Sequence, residues 1–179
     1  MSHELPVVSV RLVNDPPLYS EKPLRKVNDI IELMSQELAQ YDREVLCILN
    51  LKANGQAINM SIVSMGGLSH SIVSPREIFK CSILSNASRI IALHNHPSGN
   101  VTPSMEDIRV TKKLIACGEL MEIPLADHII VGGTTGETFS MYENNMIQTP
   151  NMNFLLREPG NTNYQIQKPQ HSKQNERSR

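Results

Sequence analysis

Two short runs, REVLCILNL at 43–51 and SRIIALHN at 88–95, restrict most what this chain can become. Successive side chains of a strand point to opposite faces, and in both runs consecutive positions are apolar. Such a strand needs cover above and below, so it belongs inside a sheet and not at a solvated surface. The cover is legible nearby. Val27, Ile30, Ile31, Met34 and Leu38 recur at helical spacing, and Ile108, Thr111, Leu114 and Ile115 mark one face of another helix. Between them, Ser74 and Pro75 followed by Glu77 read as a helix start: a cap, a proline at the first helical position and a capping-box acid.

The other segments complete an order. PVVSVRLV at 6–13 reads as an opening strand, ended by Pro16 and Pro17. Asn54 and Gly55 mark a tight turn from which QAINMSIV returns as a hairpin partner. IPLADHIIVG at 123–132 is a further strand, and GETFSMYENN a hairpin return or short element. Strand, helix, strand, strand, helix, strand, helix, strand is an α/β succession with one principal mixed sheet. In 179 residues, 40% of them hydrophobic, the chain can bury one domain core. With 3 Phe, 4 Tyr and no Trp, that core is aliphatic. The domain is expected over 1–148, its core over 25–145, and the polar stretch 149–179 reads as a flexible C-terminal tail.

Cys47, Cys81 and Cys117 are far apart, form no CxxC pair and read as free buried thiols. The N-terminus has no apolar segment before a cleavage site, and no run approaches the ~20 apolar residues of a membrane span. A cytoplasmic protein without a membrane partner is the expectation.

The second apolar run leads into IIALHNHPSGNVTPSMEDI, residues 90–108. His94 and His96 are two apart, so in extended geometry their imidazoles share a face and can chelate one ion. They can equally be ordinary turn histidines before Pro97, Ser98 and Gly99. Asp107 likewise has two readings. It fits the third position of a helix capped by Ser104, and a first-turn carboxylate can also reach back to the strand end. Zinc commonly takes two imidazoles and a carboxylate and leaves a fourth position open when catalytic. A base is then still useful, and Glu44 and Glu77 compete for that role. Glu77 is accounted for by its helix start. Glu44 opens a strand that is otherwise nearly all apolar, where an acid is costly without a purpose, and it is preferred.

HNHPSG at 94–99 followed by TPSMEDI at 102–108 resembles the JAB/MPN metalloprotease-like domain, in its bacterial RadC-like branch. The similarity extends through 43–55, 64–99 and IPLADHIIVGG at 123–133, and covers residues 5–145. It implies an α/β fold in which a mixed sheet is flanked by helices, with cytidine-deaminase-like layering. It implies Zn2+ held by His94, His96 and Asp107, Glu44 as general acid/base and Ser104 as an oxyanion donor. Glu77 matches a helix position that is not the base. Asp127 and His128 match a strand element read as structural, and His3 and His70 match no ligand. The chain departs from the branch at Ser74, where His is usual, and at Ala126, where Leu is usual. The helix-hairpin-helix segment that precedes the domain in longer members has no room here.

The resemblance implies hydrolysis of a peptide or isopeptide bond, hence a peptide or protein substrate. The rival readings are a DNA-repair or mobile-element accessory protein that binds nucleic acid, and a nuclease. A net charge of -1 gives DNA no general support; only the tail and the Lys112–Lys113 pair are locally positive. Oligomeric state is left open.

Overall fold

The computed structural model describes residues 9–20, 24, 26–66 and 74–147. Its elements are α1 (Val27–Leu38), β1 (Val45–Leu51), β2 (Ala57–Met65), α2 (Pro75–Leu84), β3 (Arg89–His96), α3 (Met105–Leu120), β4 (Leu125–Gly132) and β5 (Thr138–Ser140). One five-stranded sheet runs in the order β2-β1-β3-β4-β5. β1 lies antiparallel to both β2 and β3, β3 and β4 are parallel with α3 crossing between them, and β5 returns antiparallel on β4. The two apolar runs of the sequence are thus neighbours in the middle of the sheet.

Their double-sided character divides the core. Leu46, Ile48, Ile90 and Ala92 point to the face covered by Ile78 and Phe79 of α2 and Val110 and Leu114 of α3. Val45, Cys47, Leu49, Ile91 and Leu93 point the other way, against Met34 and Leu38 of α1. The result is a sheet between two helical layers, as the alternation requires. Gly118 lets α3 approach the sheet, since a Cβ there would meet the Ile123 carbonyl oxygen at 2.7 Å. Among the described residues no helix is long and apolar enough to cross a membrane.

Three local expectations are corrected. Residues 9–13 form no strand, and residues 6–8 of the same run lie outside the described residues. Alternation alone makes no strand without a partner: Val10 is 68% and Val13 87% exposed, and the sheet ends at β2 and β5. Ser74 stands at the N-cap of α2 but makes no side-chain cap, and Glu77 pairs with Lys80 at 2.6 Å instead of closing a capping box. All three cysteines are free, yet only Cys47 is buried; Cys81 and Cys117 are half-buried. The tail from 149 onward also lies outside the described residues.

Burial pushes the Cys47 thiol up to about 12, so at neutral pH it carries no thiolate. Native protein treated with iodoacetamide is therefore expected to keep Cys47 unmodified, by peptide mass mapping, until denaturant unfolds it. Labelling of Cys47 at the rate of a free thiol in the native state would contradict this packing.

Candidate metal centre

The centre is built where β3 runs out of apolar cover. His94 keeps the face of Ile90 and Ala92, and the strand persists through His96, so both imidazoles lie on the α2/α3 side. His94 is fully buried, whereas the His96 side chain is 13% exposed, which leaves the centre one open flank. After His96 the chain turns: the His96 carbonyl accepts the Gly99 N–H at 2.9 Å, with Gly99 at a φ of +82° that favours glycine. The same carbonyl accepts the Gly133 N–H at 2.9 Å from the end of β4. A side chain at 133 would press on Pro97, whose Cα lies 2.9 Å from the position of its Cβ.

The third group arrives on α3. Ser104 caps the helix by accepting the Asp107 N–H at 3.1 Å, and the Ser104 N–H donates to Asp107 Oδ2 at 2.7 Å. The capping box read from the sequence is therefore present, and it aims the carboxylate at the strand end. His94 Nε2 lies 3.1 Å from Asp107 Oδ1, His96 Nε2 3.4 Å from Asp107 Oδ2, and the two Nε2 atoms are 3.0 Å apart. Zinc bonds of this kind, when tetrahedral, separate their ligand atoms by about 3.3 Å. Among the described residues these three form a cluster able to coordinate a metal ion.

The donor chemistry fits as well. His96 Nδ1 is 2.6 Å from the Asn100 carbonyl oxygen, an atom that can only accept, so Nδ1 carries the proton and Nε2 of the neutral ring offers its lone pair. Burial opposes ionisation of Asp107, but the adjoining His94 and His96 imidazoles, which can take up positive charge, and the hydrogen bonding with Ser104 hold its carboxyl well below the usual range. In the other direction the hydrogen bond to Asp107 raises His96; burial opposes this, and the Asn100 carbonyl and the charges of Asp107 and Glu44 add to it. Convergent electron pairs around one point are what a cation relieves.

Glu44 lies outside this cluster, immediately before β1 and half-buried. Leu46, two residues on, is the register partner of His94 and the last pair of β1 with β3, and the Glu44 charge is felt at His96. Its carbonyl accepts the Gly66 N–H at 2.9 Å. Glu77, the rival base, is exposed on α2 and held by Lys80. His3 and His70 lie outside the described residues.

Two polar residues near the site were not singled out from sequence. Asn95, between the two histidines, is fully buried on the opposite face. Its Oδ1 accepts the Val45 N–H at 2.7 Å, and its Nδ2 donates to the carbonyls of Arg43 at 3.0 Å and Tyr41 at 3.4 Å. Those bonds bracket Glu44. Thr111, counted in the sequence only as a core-facing helix position, places Oγ1 2.6 Å from His128 Nδ1. His128 in turn reaches His94: its Nε2 is 2.8 Å from His94 Nδ1. Of the Asp127–His128 pair, read from sequence as structural, His128 thus faces the candidate centre, whereas Asp127 faces the β5 return. Asp127 accepts from the Ser140 hydroxyl at 2.6 Å and the Tyr142 N–H at 2.9 Å, which fastens the β5 return. Burial also keeps His128 well below the ordinary imidazole range, hence neutral. The one signal in the sequence was a histidine next to an aspartate inside a strand whose other residues are apolar or Gly.

Fold and cluster define an α/β domain with a candidate metal-binding site at the carboxyl end of a central strand. The model of the RadC-like JAB domain matches residues 24–146, and the chain belongs to that family. Similar proteins include a UPF0758 protein of Syntrophomonas wolfei, 48% identical over 101 residues, which are 56% of this chain and 43% of the relative. Another, from Methanosarcina mazei, is 40% identical over 117 residues, 64% of this chain and 51% of the relative. A third, from Chlorobium chlorochromatii, is 36% identical over 141 residues, 77% of this chain and 64% of the relative. The chain spans about half the length of the curated relatives it matches.

The pKa shifts fix the pH behaviour of the metal-free domain. His96 is raised above 6.5, so its contribution to stability is complete below 6.5 and is lost as pH rises through the higher folded value. Asp107 is depressed below 3.8, so its contribution is present above 3.8 and is lost as pH falls through the lower folded value. Metal-free protein is therefore expected to gain more from mild acid than its Asp107→Asn variant, by denaturant midpoints between pH 5 and 8. A metal ion held by the cluster would act in the opposite sense, because a protonated His96 cannot ligate: divalent-metal affinity is expected to fall from a pH above 6.5 downward, by chelator competition. Asn95→Ala is expected to cost about 1–3 kcal/mol in urea unfolding, since it leaves the buried Val45 N–H without its acceptor.

Proposed function

We propose that this domain is a zinc-dependent hydrolase that cleaves peptide or isopeptide bonds. The observation that carries the proposal is the convergence of His94, His96 and Asp107, with ligand atoms 3.0–3.4 Å apart. Zinc held there would supply a Lewis acid that polarises the scissile carbonyl and lowers the pKa of an attacking water. Glu44, whose charge is felt at His96, would take a proton from that water and deliver it to the departing amine. The Ser104 hydroxyl accepts the Asp107 N–H through its oxygen, which leaves its own hydrogen to donate to a developing oxyanion. Burial of His94 and Asp107 excludes water on the inner side, and the exposed flank of His96 is where a substrate would enter. Membership of the RadC-like JAB family supports this division of roles.

The test is metal analysis of the purified protein, then cleavage assays on peptide, isopeptide and single-stranded DNA probes. Zinc near one equivalent is expected in wild type and in Glu44→Gln, with turnover in the variant reduced about 10²- to 10⁴-fold. His94→Ala is expected to lose the metal. Full turnover by Glu44→Gln would remove Glu44 from the mechanism, and cleavage confined to DNA would replace the substrate class.

A further inference from the structure

We propose that Thr111 and His128 are positioning residues that lock His94 in the tautomer able to bind metal. The proposal rests on the metal-site reading of His94, His96 and Asp107 and adds to it two residues outside the ligand set. It follows from counting hydrogens, beginning at an atom that has none to give.

That atom is the Asp107 carbonyl oxygen, 2.6 Å from Thr111 Oγ1. A carbonyl only accepts, so two oxygens this close share the single hydroxyl hydrogen of Thr111. The remaining neighbour able to take it, Met141 Sδ at 3.2 Å, is a weak acceptor. With its hydrogen committed, Thr111 Oγ1 faces His128 Nδ1 with lone pairs only, and Nδ1 must supply the proton of that 2.6 Å contact. A neutral imidazole has one N–H, so His128 Nε2 is an acceptor. It lies 2.8 Å from His94 Nδ1, which must therefore be the donor. In the neutral form of His94 that single N–H is Nδ1, and Nε2, the atom that meets His96 and Asp107, carries a free lone pair.

All hydrogens in the series point one way, from His94 through His128 and Thr111 to the main chain of Asp107. The series begins at one ligand and ends on the backbone of another. It also crosses β3, β4 and α3, so the orientation of the His94 ring is set by three elements at once. His94, His128 and Thr111 are each 3% exposed or less, and water cannot easily supply a substitute partner. His96 reaches the same tautomer independently, through the Asn100 carbonyl. Partners of this kind commonly account for a 10- to 100-fold difference in metal affinity when removed.

The test uses metal-free full-length protein with 15N-labelled histidine, and zinc binding measured by competition with a chromophoric chelator. In wild type, two- and three-bond 15N–1H correlations are expected to place the proton of both His94 and His128 on Nδ1. Thr111→Val keeps the shape but removes the acceptor, and is expected to weaken zinc binding about 10- to 100-fold. Thr111→Ser restores the hydroxyl and is expected to recover affinity. A His94 ring protonated on Nε2 in wild type would overturn the proposal, and this readout needs no variant. So would a folded Thr111→Val protein with wild-type zinc affinity, or an equal loss in Thr111→Ser and Thr111→Val. If wild type binds no zinc while His94 carries its proton on Nδ1, the lock stands and the metal reading falls.

Discussion

The carboxylate of Asp107 performs two jobs at once, and the rest of the centre depends on that sharing. One oxygen accepts the Ser104 N–H and closes the first turn of α3; the same group also meets both imidazoles. A capping box fixes a side chain within a fraction of an ångström because the helix itself depends on it. The ligand is thus held by secondary structure and not by a loop. β3 does the same for the histidines, since a strand pinned on both sides by β1 and β4 cannot rotate its side chains out of register. Two rigid elements meet at their ends, and the donor atoms converge without further adjustment.

Much of this was legible in the sequence, and what was not had a physical reason. The central strands announced themselves because burial on both faces leaves no polar position in 45–49 or 90–93. That His94, His96 and Asp107 could meet followed from a strand period and a helix cap, each a local rule, and the family resemblance chose that reading over turn histidines and a plain cap. Residues 9–13 misled because alternation reports what a segment could bury, and says nothing of whether a neighbouring strand is there. Glu77 misled in a milder way: the capping position was right, but Lys80 offered its carboxylate a stronger partner. Asn95, Thr111 and His128 could not be read locally. Their roles depend on contacts 17 to 54 residues away in sequence, and a buried polar residue looks the same in a sequence whatever it touches.

The two faces of β3 divide the work. On the α2/α3 side lie His94, Thr111, His128 and Asp107, all buried and all with partners, which is the condition for tolerating a polar cluster inside a core. On the α1 side lies Asn95, whose three hydrogen bonds hold the segment leading into β1. The candidate metal cluster and the support of the neighbouring loop therefore draw on adjacent residues of one strand, separated by the thickness of the sheet.

The bonds of Asn95 all go to main-chain atoms of residues 41, 43 and 45 and to none of their side chains. A grip on backbone is indifferent to residue identity. Asp42 and Arg43, both exposed, are thus open to replacement without loosening the loop, provided its path is kept, whereas Tyr41 also packs against the α1-side core. The exterior of this segment can diversify toward new surfaces or new molecules, while the ground beneath Glu44 stays fixed.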